Sequence, residues 1–352
     1  MTWPRWSGGV GVRGGLRSWA WAVATACVLV GCAASTPASG KRLQGTVIQF
    51  KPSHQLWVRS DWAQLVRSLR ALGMNQIVVQ WSVADATAYY DSRQFRSGAM
   101  PPLGPLLDVA GEADMRVLVG LVHDSNFWGR IGGDAVQAER YLRELRTRSL
   151  QAARELAPRF TRHRAFEGWY LSEEIDDLNW RDPPRRAVLA DHLKTFTAEL
   201  RALDPRARLA ISGFANTGTD PVFLHDFWQG LLGDAPELDI LLFQDGVGVR
   251  KLSLDELAPV LGAVQRAAQG RQRELRLIVE VFQQTAGPPI DQKPFAAAPA
   301  PLDRIRRQIA IEQAFSPSLL AFTVPDYMSA KGPAPAKHLY EQYRRACVEA
   351  AC

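Results

Sequence analysis

The chain carries eight short apolar runs, each followed by a longer stretch with helical periodicity. The runs are Gly45–Phe50, Gln76–Trp81, Arg116–Val122, Gly168–Ser172, Arg208–Ser212, Asp239–Phe243, Arg276–Val281 and Leu319–Val324. Each is about five to seven residues long and mostly apolar on both faces, as a parallel strand covered by helices must be. Helical patterns fill the intervals. The first opens at Ser60-Asp61-Trp62, where a serine or aspartate can cap the first turn, and closes at Gly73. The others span residues 103–113, 134–157, 184–203, 221–232, 253–268, 302–315 and 335–347. Eight strands alternating with eight helices predict a (β/α)8 TIM barrel, an architecture of roughly 250 residues or more with its loops. An open doubly wound sheet is the alternative. It would be favoured by a glycine-rich phosphate loop after the first strand, and the sequence has none. Residues 283–301, rich in proline and alanine, break the rhythm and predict a long ordered loop or lid after the seventh strand.

Upstream of the barrel, the first 31 residues contain no acid and three arginines, Arg5, Arg13 and Arg17. A run of small and apolar residues follows them to Val30, too short to span a bilayer comfortably. A positive region before a short apolar one is the layout of a secretory signal. The run ends in Leu29-Val30-Gly31-Cys32, which resembles the lipobox cut by lipoprotein signal peptidase. The expected organisation is a signal peptide over 1–31, a tether over 32–42 with Cys32 lipidated, a barrel over 43–346 and a tail over 347–352. An ordinary anchor helix in which Cys32 has no role is the plainer alternative. Ala33 after the cysteine resembles outer-membrane sorting, so the expected location is the cell envelope, on the periplasmic face of the outer membrane.

The signal also changes the charge. The full sequence is +6, and the three arginines leave with the signal, so the mature chain is near +3. No basic block is interleaved with aromatics, and no nucleic-acid partner is expected. Cys347 and Cys352 are the remaining cysteines, and a small C-terminal disulfide or two free thiols on a frayed tail are both open.

In a (β/α)8 barrel, the carboxyl ends of the strands build the site. Those ends read Gln49; Gln80-Trp81; His123-Asp124; Glu173-Glu174; Gln244-Asp245; Glu280; Asp326-Tyr327. Glu280 lies between Val279 and Val281 inside an apolar run, where a charge must be paired or used. Glu173 and Glu174 could cap the following helix or pair with arginines. Alternatively, one carboxylate beside the other would raise its pKa and suit it to donate a proton. His123-Asp124 suggests a metal or an acid–base pair, but the six histidines are scattered and no HExxH occurs, so no metal is expected. No Gly-x-Ser-x-Gly elbow is present, and no cysteine lies near a strand end. No cofactor is expected.

Five segments together resemble a family of bacterial barrel proteins catalogued mainly as a domain of unknown function and related to clan-A retaining glycoside hydrolases. They are Gly120-Leu121-Val122-His123-Asp124 with Trp128, Gly168-Trp169-Tyr170-Leu171-Ser172-Glu173-Glu174-Ile175, Phe243-Gln244-Asp245-Gly246-Val247-Gly248-Val249, Val279-Glu280-Val281-Phe282 and Asp326-Tyr327-Met328-Ser329. The resemblance covers roughly residues 43–345. It implies a glycosidase-like site with Glu174 as acid/base and Glu280 as nucleophile, one protonating the glycosidic oxygen while the other, about 5–5.5 Å away, attacks the anomeric carbon. In that clan the strand-four acid usually follows an asparagine. Glu173 stands in its place here, and it could be the acid instead or hold a sugar hydroxyl. Gln80, His123, Asp124, Gln244 and Asp245 would be substrate-binding neighbours, with Trp81, Trp128, Trp180 and Tyr327 offering ring faces to a sugar. Trp57 and Trp62 are expected to pack in the first loop and helix. The implied function is hydrolysis of a cell-envelope or secreted polysaccharide by a lipid-anchored protein. The alternative is a non-catalytic carbohydrate-binding or exopolysaccharide-assembly lipoprotein on the same scaffold.

Overall fold

The computed structural model describes residues 42–350. The lipobox and Cys32 lie outside the described residues, as does Cys352. Eight strands form one closed parallel ring: β1 (Gly45–Ile48), β2 (Gln76–Val79), β3 (Arg116–Gly120), β4 (Phe166–Asp176), β5 (Arg208–Phe214), β6 (Ile240–Gln244), β7 (Glu274–Glu280) and β8 (Leu319–Phe322). Each pairs with the next, and β8 pairs back onto β1 through Gly45–Leu320 and Thr46–Ala321. That last pairing excludes the open sheet. The expected (β/α)8 barrel is the architecture observed.

A helix follows every strand: α1 (Arg59–Ala71), α2 (Leu103–Glu112), α3 (Ala135–Phe160), α4 (Pro183–Leu203), α5 (Pro221–Asp234), α6 (Leu254–Gly270), α7 (Leu302–Glu312) and α8 (Ala334–Tyr343). Their starts are written locally. Asp134, Asp182 and Asp220 each accept a first-turn N–H, and proline occupies the first position after the last two, where its missing N–H costs nothing. The first helix begins at Arg59, one residue before the expected serine. Asp61 caps it from within the first turn by accepting the Val58 N–H at 3.0 Å.

Two apolar layers hold the fold. Outside the ring, strand side chains such as Trp169, Leu171 and Ile175 pack with the helices. Inside it, Val47, Val78, Leu118, Tyr170, Ala210, Leu242, Ile278 and Leu320 fill the barrel, one from each strand. Trp62 and Trp180 are fully buried, so Trp62 packs as expected while Trp180 belongs to the core and offers no ring to a ligand. At the amino-terminal end of the strands, Arg276 is buried and bonds Glu274 through Nε at 2.6 Å and Glu167 through both terminal nitrogens. Arg208 joins the network on Glu274 at 2.5 Å. Each buried charge of the network meets more than one partner.

Two loops at the carboxyl end carry their own structure. The segment after β7, expected as a long ordered loop or lid, is a hairpin, Phe282–Ala286 against Ala296–Pro299. Val83–Ala84, Thr87–Ala88, Arg96–Ser97 and Val122–His123 form a second small sheet after β2 and β3. Cys347 is buried and disulfide-bonded.

Candidate active site

Alternation along the strands decides which residues meet inside the mouth. From the interior layer, each step of two residues toward the carboxyl end reaches the rim: Val47 to Gln49, Val78 to Gln80, Leu242 to Gln244, Ile278 to Glu280 and Leu320 to Phe322. On β4 the same count runs from Tyr170 through Ser172 to Glu174. The pairing of β4 with β5 slips between Leu171 and Glu174, a bulge that carries Ser172 and Glu173 without partners. Ser172 Oγ donates to the Gln80 carbonyl at 2.9 Å.

The result is a cavity of about 370 Å³ at the barrel mouth, within the range of small-ligand sites. Glu174 and Glu280 both line it, together with Gln80, Trp81, His123, Asp124, Trp128, Gln244 and Tyr327 from the expected set. Glu173 and Asp245 do not line it. Glu173 faces outward on β4 and meets His192 of α4, Oε1 to Nε2, at 3.0 Å. Asp245 faces outward at the end of β6 and packs against Gln308 of α7. The structure therefore places Glu174, and not Glu173, in the cavity.

Glu174 is held by amides. Its Oε1 accepts from Gln80 Nε2 and from Gln244 Nε2, each at 3.1 Å, and Gln80 in turn accepts from Gln49 Nε2 at 2.8 Å. Burial pushes the Glu174 carboxyl above its ordinary pKa, and the Gln244 bond, the Lys251 charge and the Gln80 bond pull against it. Lys251 donates to Asn216 Oδ1 at 2.7 Å and sits 3.8 Å over the Phe214 ring.

Glu280 is 3 % exposed and sits in a backbone cradle. Its Oε2 accepts the Val249 N–H at 2.8 Å. The preceding residue must be glycine: a Cβ on Gly248 would lie 2.5 Å from the Phe282 carbonyl and 2.8 Å from Glu280 Oε2. Burial and the neighbouring Asp245 charge raise the Glu280 pKa to about 8, against the Val249 and Gly248 N–H groups and Arg304. Arg304 spends its guanidinium on backbone, donating to the Glu280 carbonyl at 2.8 Å and the Phe282 carbonyl at 2.5 Å. Among the described residues, neither Glu174 nor Glu280 has a lysine or arginine nitrogen within ion-pair distance.

Aromatic rings make the walls. Trp81 stacks on His123 with centroids 4.5 Å apart, and its Nε1 donates to the Phe50 carbonyl at 3.0 Å. Burial lowers the His123 pKa, favouring the neutral ring. Tyr327 packs on Phe282 at 5.1 Å. Trp128 is 41 % exposed, and Phe295, carried by the hairpin, is 56 % exposed. Both line the cavity while keeping ring surface in solvent. Asp124 lines it too, but one oxygen is already engaged by the Asn126 N–H at 2.9 Å, which shapes the short helix Phe127–Ile131. Phe282, Phe295, Phe322, Ser172 and Val249 were not singled out from sequence, since each is an ordinary residue of its run or loop. Two carboxyls of raised pKa in an aromatic-walled pocket can hold and transfer protons to a bound polar ligand.

The model of the family described as a domain of unknown function, DUF4434, matches residues 43–337. The chain belongs to the DUF4434 family. A DUF4434 relative in sequence is the uncharacterised protein YbcH of Escherichia coli (strain K12), 29 % identical over 272 residues, covering 75 % of this chain and 83 % of YbcH. In structure, this DUF4434 barrel is similar to a crystallised protein from Bacteroides thetaiotaomicron VPI-5482 provisionally named an alpha-L-fucosidase. The TM-score is 0.70 at 17 % identity, over 88 % of this chain and 94 % of that one. It is also similar to the beta-galactosidase of the psychrophilic Marinomonas ef1, with a TM-score of 0.55 at 12 % identity, over 87 % and 60 % of the two chains. These likenesses establish a glycoside hydrolase-like barrel fold.

Proposed function

We propose that this DUF4434 barrel is a retaining glycoside hydrolase of the clan-A type, acting on a cell-envelope or secreted polysaccharide. The observation that carries the reading is the meeting of Glu174, from β4, and Glu280, from β7, in one aromatic-walled cavity, free of ion pairing to lysine or arginine among the described residues. Glu174, whose pKa burial raises, donates its proton to the glycosidic oxygen as the bond to the anomeric carbon breaks. The ionised Glu280 carboxylate attacks that carbon from the other face. Glu174, now a carboxylate, takes a proton from the water that releases the sugar. Gln80 and Gln244 hold Glu174 in place through both protonation states. The names borne by the fucosidase and galactosidase relatives accord with this chemistry.

The order of the two pKa values matters. Glu280 must be ionised to attack while Glu174 still holds a proton to donate, so turnover of the free protein follows a bell-shaped pH profile that belongs to the pair. A Glu280 that stays protonated at neutral pH also suits a barrel that grips a sugar without cutting it. That second reading, a carbohydrate-binding or exopolysaccharide-assembly lipoprotein, predicts binding without product. Screening the chain from residue 41 onward against a panel of polysaccharides, for reducing ends and for binding together, separates the two. Neither product nor binding on any polymer would refute both.

The sequence before the barrel sets the place of action. We propose that the mature protein begins at Cys32, carries lipid there, and works on the periplasmic face of the outer membrane within reach of its tether. Metabolic labelling with a fatty-acid probe that is lost in Cys32→Ser tests this.

A further inference from the structure

Behind Glu280, on the side away from the cavity, lies a group of buried polar side chains that do not line it. Asp245, Gln308 and Glu312 are all fully buried, two of them carboxyls, between the end of β6 and α7. Asp245 gathers donors: the Val247 N–H at 3.1 Å, the Glu280 N–H at 3.3 Å to both oxygens, and Gln308 Nε2. Burial raises the Asp245 pKa, and these donors pull against it. Glu312 has the opposite surroundings. Neither of its oxygens receives an N–H or O–H donor among the described residues, and its carboxyl faces Asp245, one helical turn from the Gln308 that donates to the same carboxylate. Two facing carboxyls can hydrogen-bond only if one carries the proton, and the member without donors would otherwise be a bare buried charge.

We propose that Glu312 is a neutral carboxylic acid donating its proton to the Asp245 carboxylate, and that the pair is a positioning device fixing the Glu280 end of β7 and the charge that Glu280 faces. The hydrogen bonds run in one chain, from the Glu312 hydroxyl to the Asp245 carboxylate, which accepts the main-chain N–H of Glu280. The other groups facing Glu280 are the Gly248 and Val249 N–H groups and Lys251 from the loop after β6, Arg304 of α7, and Tyr327 after β8. Arg304 is turned to the main chain, and after burial the Asp245 charge is the largest influence raising the Glu280 pKa. Burial and Asp245 both push the Glu312 carboxyl well above the ordinary range, in line with a retained proton. The consequence for catalysis rests on the glycosidase reading: Asp245 would delay ionisation of the nucleophile until the pH rises.

Difference infrared spectroscopy of the whole chain reads the protons without any substrate. The wild type is expected to hold a protonated-carboxyl absorption that persists from about pH 5 to 9 and vanishes in the isosteric Glu312→Gln. The absorption lost in Glu280→Gln reports Glu280, and in Asp245→Asn its midpoint should fall by about one pH unit, a tenfold change in its ionisation constant. An unchanged spectrum in Glu312→Gln, or a Glu280 midpoint that stays or rises in Asp245→Asn, would overturn the proposal. Failure of the glycosidase reading would show as absent turnover and leave these titrations as they are.

Discussion

Replacing Glu280 by glutamine should stabilise the protein, and the gain can be worked out from the site. Glu280 is buried with its pKa raised from 4.5 to about 8. Below pH 4.5 the folded and unfolded chains both hold the proton and the residue costs nothing. Between pH 4.5 and 8 the unfolded chain releases it while the folded chain retains it, so stability falls by about 1.4 kcal/mol per pH unit. Above pH 8 both are ionised and the loss is complete. At pH 7, about two and a half pH units into that window, the cost is about 3 kcal/mol. Glutamine removes the titration and keeps an oxygen for the Val249 N–H. Glu280→Gln is therefore expected to gain about 3 kcal/mol over the wild type at pH 7 and to lose the roughly 1.4 kcal/mol per pH unit that Glu280 adds to the slope between about pH 5 and 8. In a barrel of this size the gain corresponds to on the order of 5 °C in Tm. Urea denaturation of both proteins at four pH values measures it. A variant no more stable at pH 7, with the wild-type slope retained, would refute a Glu280 that keeps its proton when folded.

Other substitutions probe the neighbours of the two carboxyls and the far end of the barrel. Gly248→Ala puts a methyl against the Phe282 carbonyl and Glu280 Oε2, so the side chain or the loop must move. Turnover should drop by about a hundredfold, the cost of displacing a reacting group by about an ångström, with a stability loss of about 1–3 kcal/mol by thermal melting. Gln244→Ala removes one of the two amide donors to Glu174. The limb of the pH–rate profile that reports Glu174 should move up by about one pH unit, and a profile in which no limb moves up would refute that role for the Gln244 bond. Arg276→Met leaves Glu167 and Glu274 with only Arg116 and Arg208 at the amino-terminal end and should cost about 1–3 kcal/mol in urea denaturation, while the pH profile of turnover stays as it was.

How far the sequence reaches can be judged at particular residues. The barrel was legible because parallel strands covered on both faces must read as short apolar runs between amphipathic helices, and because glycines and capping acids mark the helix ends. Glu280 was legible for a related reason, as a charge with valine on each side. The choice between Glu173 and Glu174 was not. It depends on which face of β4 looks inward, and Trp169, Tyr170 and Leu171 are apolar on both faces, so the run itself carries no parity. Only the interior position of Tyr170 sets it. Asp245 misled in the same way: one residue past Gln244, it turns to the helix layer instead of the mouth. Phe295 and α7's Gln308 and Glu312 are brought to the site by the hairpin and by helix packing, contacts between segments that no local pattern announces.

Turnover by the wild type, Glu174→Gln and Glu280→Gln, side by side on whichever polysaccharide yields product, addresses the central reading most directly. The wild type should release sugar with retained anomeric configuration, and each variant should lose turnover by several orders of magnitude while remaining folded. Undiminished hydrolysis by Glu280→Gln, or inversion at the anomeric carbon, would contradict a retaining mechanism built on Glu174 and Glu280.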